Sequence, residues 1–142
     1  MTLNSASLAR LKGVHQDLVR VIKLAAANTK LPFAVVEGLR TTERQKYLKK
    51  IGATKILNSR HITGHAVDIA PLVDGKIRWD WSLYLVLAGV VRDAAVKENV
   101  PIRWGGTWGL INPVKGAFAS KMLSRSFPDG PHFELPRNNP YL

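Results

Sequence analysis

The sequence has no cysteine among its 142 residues, and that one absence removes disulfide frameworks, thiolate metal sites and cysteine nucleophiles together. Any metal held by this chain must be bound by histidine and carboxylate. Acidic residues are scarce as well: 10 Asp+Glu stand against 21 Lys+Arg, a net charge of +11, with a pI near 10.4. Such an excess attracts nucleic acid, anionic lipid or an acidic wall polymer alike, without choosing among them. The cations are spread along the chain from Arg10 to Arg78 rather than gathered into an arm, which argues against a compact nucleic-acid-reading patch. Long apolar runs are missing too. The most apolar window, Leu83 to Val91, is far short of the roughly 20 residues that span a bilayer, so no transmembrane segment is expected. The start of the chain is polar from Thr2 to Ser7 and then interrupted by Arg10 and Lys12, unlike the apolar stretch of about 7–15 residues in a secretory leader. Synthesis in the cytoplasm without a signal peptide is the expectation.

What is present has clear periodicity. Leu8, Leu11, Val14, Leu18, Val21, Ile22 and Ala25 recur at helical spacing, with Asn4 or Ser5 as N-cap, predicting one helix over 5–27. Phe33 to Leu39 predicts a strand after Pro32, and Thr42 with Gln45 predicts a capping box for a helix over 42–50. Residues 51–64 predict a loop, and Ala66 to Ala70 a short buried strand stopped by Pro71. Asp74-Gly75 marks a hairpin turn. A second long helix is predicted over 79–99, and two more short strands over 102–104 and 132–135, separated by a loop of about 27 residues. These elements predict an α+β fold: a small antiparallel sheet bearing the site on one face, with two long helices packed behind it.

Three of the four histidines fall in two glycine-bearing segments, Ser59-Arg-His61-Ile-Thr-Gly64-His65-Ala-Val-Asp68 and Asp129-Gly-Pro-His132-Phe-Glu134. A helical zinc pair of His61 and His65 is disfavoured, because position 62 is Ile and Gly64 opposes helix. The preferred set is His61 at a loop end, Asp68 inside a strand and His132 at the start of another. Two imidazoles and one carboxylate leave a coordination position for water, which zinc activates. Asp129, three residues before His132, is then placed to carry a proton. Each residue alone also fits an ordinary hydrogen-bonded role in a core. Glu134 is a rival general base, since it shares a strand face with His132. Trp104 and Trp108 flank Gly105 and Gly106 and suit either a ligand wall or a core.

With Ser59-x-His61-x-x-Gly64-x-Ala66-x-Asp68 and the downstream Asp129-x-x-His132, the chain resembles the VanY/VanX-type zinc D,D-peptidases, and within them the L-alanyl-D-glutamate endopeptidases that tailed bacteriophages use as endolysins. Glu37-Gly-Leu-Arg40-Thr41, Gln45, Gly75-Lys-Ile77, Trp104-Gly105 with Trp108, and His132-Phe-Glu-Leu135 extend the resemblance over about residues 30–135 in the family's order. It implies a D,D-peptidase-like (Hedgehog-like) fold in a single catalytic domain over 1–142, with no separate wall-binding domain. One Zn²⁺ per chain would be held by His61, Asp68 and His132, with Asp129 as catalytic acid/base; many wall carboxypeptidases of the wider family carry Glu there. Arg40 resembles the family's arginine that contacts substrate and stabilises the oxyanion, its other reading being a solvated arginine at a helix start. Ser59, Gln45, Glu134, Trp104 and Trp108 are expected to bind substrate or support the site, Glu134 by orienting a ligand.

The function so implied is hydrolysis of the L-alanyl-D-glutamate bond of peptidoglycan for host cell lysis by a monomer, acting in the periplasm once a holin has permeabilised the membrane. A D,D- or L,D-carboxypeptidase, with Arg40 or Ser59 on a terminal carboxylate, is the alternative among enzymes. A basic module binding nucleic acid or wall without catalysis is the alternative outside them.

Overall fold

In the computed structural model, which describes residues 1–53 and 59–137, the sheet is built around one eight-residue strand. This strand, β2 (Ala66–Val73), pairs antiparallel with β1 (Phe33–Glu37) on one side and with a late strand, His132–Glu134, on the other. Beyond the late strand come Arg103–Trp104 and Gly109–Leu110, while Lys76–Ile77 folds back on the end of β2. In chain order these are β3 (Lys76–Ile77), β4 (Arg103–Trp104), β5 (Gly109–Leu110) and β6 (His132–Glu134), and the main path runs β1-β2-β6-β4-β5. Every pairing is antiparallel.

Alternation along the strands divides the two faces. Phe33, Val35, Val67, Ile69, Trp104 and Phe133 join the hydrophobic core. It is completed by Leu18, Val21, Ile22 and Ala25 from α2 (Gln16–Asn28) and Leu87, Ala88, Val91 and Ala95 from α4 (Trp81–Glu98). The intervening residues Asp68, His132 and Glu134 therefore face away from the helices, and the register sets Asp68 directly opposite His132. The expected arrangement of a small antiparallel sheet backed by two long helices is present, together with two shorter helices, α1 (Ser5–Arg10) and α3 (Thr42–Lys50).

Several local features differ from the sequence reading. The single helix over 5–27 is two, broken where Gly13 takes φ +84° and His15 caps α2 by accepting the Asp17 N–H at Nδ1. The break lets α1 lie along the edge of β1, where Ser7 Oγ accepts the Val35 N–H and Arg10 donates to the Val35 carbonyl. An open strand edge is thereby covered. The strand over 66–70 does not stop at Pro71. Pro71 lies opposite Phe33 of β1, and on its other side, past the end of β6, its carbonyl accepts from Arg78 in the hairpin with β3. The Asp74-Gly75 turn has both residues at positive φ, +53° and +75°, the geometry of a tight hairpin.

Helix α3 is capped by Thr41, whose hydroxyl accepts the Arg44 N–H, rather than by a Thr42–Gln45 box; Gln45 turns inward instead. The stretch of about 27 residues is not one loop, since β5 pairs back on β4 and Ser120–Met122 forms a 3₁₀ turn. Residues 54–58 of the expected 51–64 loop lie outside the described residues.

Candidate active site

On the side of the sheet away from α2 and α4 lies a cleft of about 930 Å³, lined by His61, Asp68, Asp129, His132, Glu134 and Arg40 among others. Adjacent antiparallel strands supply Asp68 and His132 as a cross-strand pair. His61 arrives from the turn before β2, where its own N–H is accepted by Ser59 Oγ. Gly64 closes this turn at φ +77°, with its backbone packed so closely on Gly13 that a Cβ would lie 2.3 Å from the Gly13 carbonyl oxygen. Here the glycine of the motif serves a close backbone crossing as well as a left-handed turn.

The three side chains meet at one oxygen. His61 Nε2 lies 3.1 Å and His132 Nδ1 3.3 Å from Asp68 Oδ1. The other ring nitrogens are taken: His61 Nδ1 lies 2.9 Å from the Gly38 carbonyl, and His132 Nε2 lies 2.7 Å from Glu134 Oε1. Both outer partners accept hydrogen bonds, so each imidazole donates outward and turns a lone pair towards Asp68. Two lone pairs and a carboxylate oxygen, converging in a site where His61 and His132 are buried, repel one another unless a cation stands among them. Such a buried His-Asp-His group is able to bind a metal, with one ligand atom per residue and all within 4.8 Å of each other. The outward hydrogen bonds to Gly38 and Glu134 are the support that metal-bound histidines require.

Without a metal a proton does the cation's work. Burial opposes a charged imidazole at His132, but its bonds to Asp68 and Glu134 outweigh burial and raise its pKa to about 9. Burial also pushes Asp68 upward, and the bonds from His132 and His61 overcome that to hold its carboxyl well below the usual range. Asp129 moves the other way. Burial and the charge of Asp68 raise its pKa, only partly offset by His132, His61 and Arg40. A partly buried carboxyl of raised proton affinity on the cleft wall is suited to proton transfer. Its backbone is fixed by the Gly105 carbonyl, which accepts the Asp129 N–H, and a Cβ on Gly105 would strike the Asp129 carbonyl oxygen at 2.2 Å. Glu134, by contrast, is fully engaged: it is buried, bonded to His132 Nε2 and 3.5 Å from Arg103 Nη1.

Arg40 stands between β1 and α3 as the sequence indicates, with little exposure and tightly held. Its Nε and Nη2 close a fork on the two oxygens of Glu37 at 2.7 and 2.5 Å, and Nη1 donates to Gln45 Oε1 at 2.6 Å. Among the described residues, three of its five N–H groups are bonded. Gln45 is thus a buried support of Arg40 rather than a direct substrate contact, and Ser59, also in the cleft lining, shapes the His61 turn. Trp108 does line the cleft, its ring centroid 5.5 Å from that of His132. Trp104 does not. In β4 it falls opposite Phe133, on the core face, fully buried against Phe118 and Phe133 with its indole N–H on the Gly130 carbonyl. Of the two readings open for these tryptophans, Trp104 takes the core and Trp108 the cleft lining.

Two residues in the site went unassigned in the sequence: Glu37, which fixes Arg40, and Arg103, which reaches Glu134. For Arg103 strand parity helps only once pairing with β6 has turned Trp104 into the core, since its neighbour in the strand must then face the opposite way.

An antiparallel sheet that brings a His-Asp-His group and a carboxyl of raised proton affinity into an open cleft defines a site of hydrolase type whose side chains are able to bind a metal ion. The chain belongs to the phage L-alanyl-D-glutamate peptidase family, whose model matches residues 1–136. It is 28% identical over 130 residues to the L-alanyl-D-glutamate peptidase of Escherichia phage T5, covering 89% of this chain and 91% of that one. It also resembles the crystal structure of the Serratia marcescens L-Ala D-Glu endopeptidase ChiX, at 39% identity and a TM-score of 0.78, covering 96% of this chain and 89% of that chain. Among the described residues no helix is long and apolar enough to cross a membrane.

Proposed function

We infer that this chain is a peptidoglycan peptidase that hydrolyses the amide between L-alanine and D-glutamate in the stem peptide, and that it does so as a zinc enzyme. The single observation that carries the zinc reading is the convergence of His61 Nε2, His132 Nδ1 and Asp68 Oδ1, with both outer imidazole nitrogens bonded to acceptors. His61, Asp68 and His132 would hold one Zn²⁺. Bound there, zinc would supply a Lewis acid for a carbonyl oxygen and would activate water for attack near neutral pH.

The chain's own residues do the rest. Asp129 takes a proton from the attacking water and delivers it to the alanyl-glutamyl nitrogen as that amide breaks, a task that needs a carboxyl of raised proton affinity free to change state. Arg40, pinned by Glu37 and Gln45, presents its two remaining N–H groups to the oxygen on which charge develops, and being pinned it need not reorganise during the reaction. Glu134 keeps the tautomer and orientation of His132 rather than acting as the base. Ser59 holds the His61 turn, and Trp108 forms an apolar wall beside His132.

In the setting this reading implies, a monomer made in the host cytoplasm reaches the wall after a holin opens the membrane, and acts in the periplasm as a lysis enzyme. The net charge of +11 concentrates it on an anionic surface in a salt-dependent way. The test is digestion of purified Gram-negative sacculi, with released fragments and new amino termini identified by mass spectrometry, alongside a chelated sample. New amino-terminal D-glutamate, lost on chelation and restored by zinc, is the expected result. Release of terminal D-alanine alone would replace this reading with a carboxypeptidase, and cleavage unaffected by chelation would remove the metal from it.

A further inference from the structure

Arg103 has no part in the chemistry above, yet it is built into the cleft wall from three directions. The register of β4 sets it opposite Glu134, on the cleft face. Its Nε donates to the Trp108 carbonyl at 3.0 Å, its guanidinium lies 4.9 Å over the Trp108 ring, and Nη1 reaches Glu134 Oε2 at 3.5 Å. The side chain is nevertheless 40% exposed, and among the described residues no partner is found for Nη2. Trp108 is itself held in an unfavourable left-handed conformation, φ +52°, with its indole N–H on the carbonyl of Phe127, another non-glycine residue at positive φ, +48°. Two such positions in one wall indicate that its shape is maintained against backbone preference. The product of that shape is a cation with fixed orientation and one open edge.

Three of the other four cleft arginines are differently placed. Arg40 has its fork closed on Glu37 and Gln45, Arg60 donates Nη2 to the Leu135 carbonyl, and Arg44 lies over the exposed ring of Tyr47 on α3. The substrate calls for a positioned cation. The residue after the scissile amide is glutamate, which has two carboxyl groups. Only one can continue the peptide, so the other remains a free carboxylate a few bonds from the scissile nitrogen unless it is amidated.

We propose that Arg103 is a specificity-determining residue, whose open guanidinium edge receives the free carboxylate of the glutamate that follows the scissile bond. Trp108 and Glu134 set the plane of the guanidinium, as charge-assisted recognition of a carboxylate requires. The inference rests on the reading of this cleft as an L-alanyl-D-glutamate peptidase.

The test compares two synthetic stem peptides, identical except that the free glutamate carboxyl is an acid in one and an amide in the other, on zinc-loaded wild-type protein and on Arg103→Gln. Wild type is expected to favour the acid by about tenfold or more in kcat/KM, the scale of one charge-assisted hydrogen bond. Arg103→Gln should bring the ratio to within about twofold of one, mainly through KM, with zinc content unchanged. A purely structural role would lower both substrates together and leave the ratio intact, and that outcome, or a wild type indifferent to amidation, overturns the proposal. Should Arg103→Gln lose zinc or fail to fold, Arg103→Lys carries the test, with a reduced ratio expected and an undiminished one overturning the proposal. Failure of the wild type to cleave either peptide strikes instead at the underlying reading of the site, and the proposal falls with it.

Discussion

Two histidine pairs in this protein have nearly the same spacing and opposite character. The rings of His61 and His132 are 5.1 Å apart and those of His15 and His65 are 5.6 Å apart. The first pair is buried with Asp68 between its members and hydrogen-bond acceptors on the outer nitrogens. The second lies at a pocket of about 320 Å³ beside Arg20, Arg60 and Arg137. There His15 caps a helix and His65 Nδ1 meets the Thr63 hydroxyl. Burial, then Arg60 and His15, lower the pKa of His65, and the Asp17 carboxylate in the same pocket lies 3.9 Å from His15 rather than meeting both rings as Asp68 does in the cleft. Proximity of two imidazoles is therefore not what makes a metal centre. A carboxylate opposite them and an acceptor behind each ring are what suit the first pair to a metal, because those groups fix the tautomers and supply the negative charge that a divalent cation needs.

The largest expected effects would break that contrast outright. His61→Ala, Asp68→Ala and His132→Ala should each lose bound zinc and reduce hydrolysis to background, whereas His15→Ala and His65→Ala should keep one zinc per chain and near-wild-type turnover. Metal analysis beside a sacculus-digestion assay decides it, and full zinc occupancy in His132→Ala would remove that residue from the centre. Next, Asp129→Ala should retain zinc and lose about 10²–10⁴-fold in kcat, the range for a removed general acid/base. Parallel loss of metal would make Asp129 a ligand. Glu134→Ala should act through His132, weakening zinc affinity by about 10–100-fold as removal of such a supporting partner does, measured by competition with a chelator. Unchanged affinity combined with lost turnover would return Glu134 to the role of base.

The smallest effect is on stability. In metal-free protein the pKa of His132 is raised from 6.5 to about 9 by its carboxylate partners. A group with a raised folded pKa contributes stability that is fully present below its unfolded pKa and disappears as pH rises through the folded one. The thermal midpoint of chelated protein should therefore fall between about pH 6.5 and 9. Zinc-loaded protein, in which the ion replaces the proton, should lack this fall. An equal decline in both forms would place the titration elsewhere, and His132→Ala should abolish it.

Much of the fold was legible in the sequence because it rests on local periodicity. The apolar stripes of α2 and α4, the capping of α1 by Asn4 and the Asp74-Gly75 hairpin follow from patterns within a few residues. The helix break at Gly13 and the continuation of β2 through Pro71 did not, since each depends on a distant segment: the β1 edge that α1 covers, and the end of β6 beyond Pro71. Trp104 and Trp108 make the same point in one hairpin. Nothing local distinguishes them, but pairing with β6 turns Trp104 into the core and leaves Trp108 on the cleft.

By itself, then, the sequence determined the material of the site: without cysteine the donors had to be histidine and carboxylate, and the alternation Val67-Asp68-Ile69 already committed one carboxylate to the face opposite the core. Which nitrogen of each ring faces inward, what closes the fork of Arg40 and where Arg103 points were decided only by tertiary structure. Those features depend on groups far apart in the chain, such as Gly38 behind His61 and Glu134 opposite Arg103. Spacing along a sequence specifies which residue types are available, whereas the direction of a lone pair or a guanidinium edge is set by the partners that strand register brings to within hydrogen-bonding distance.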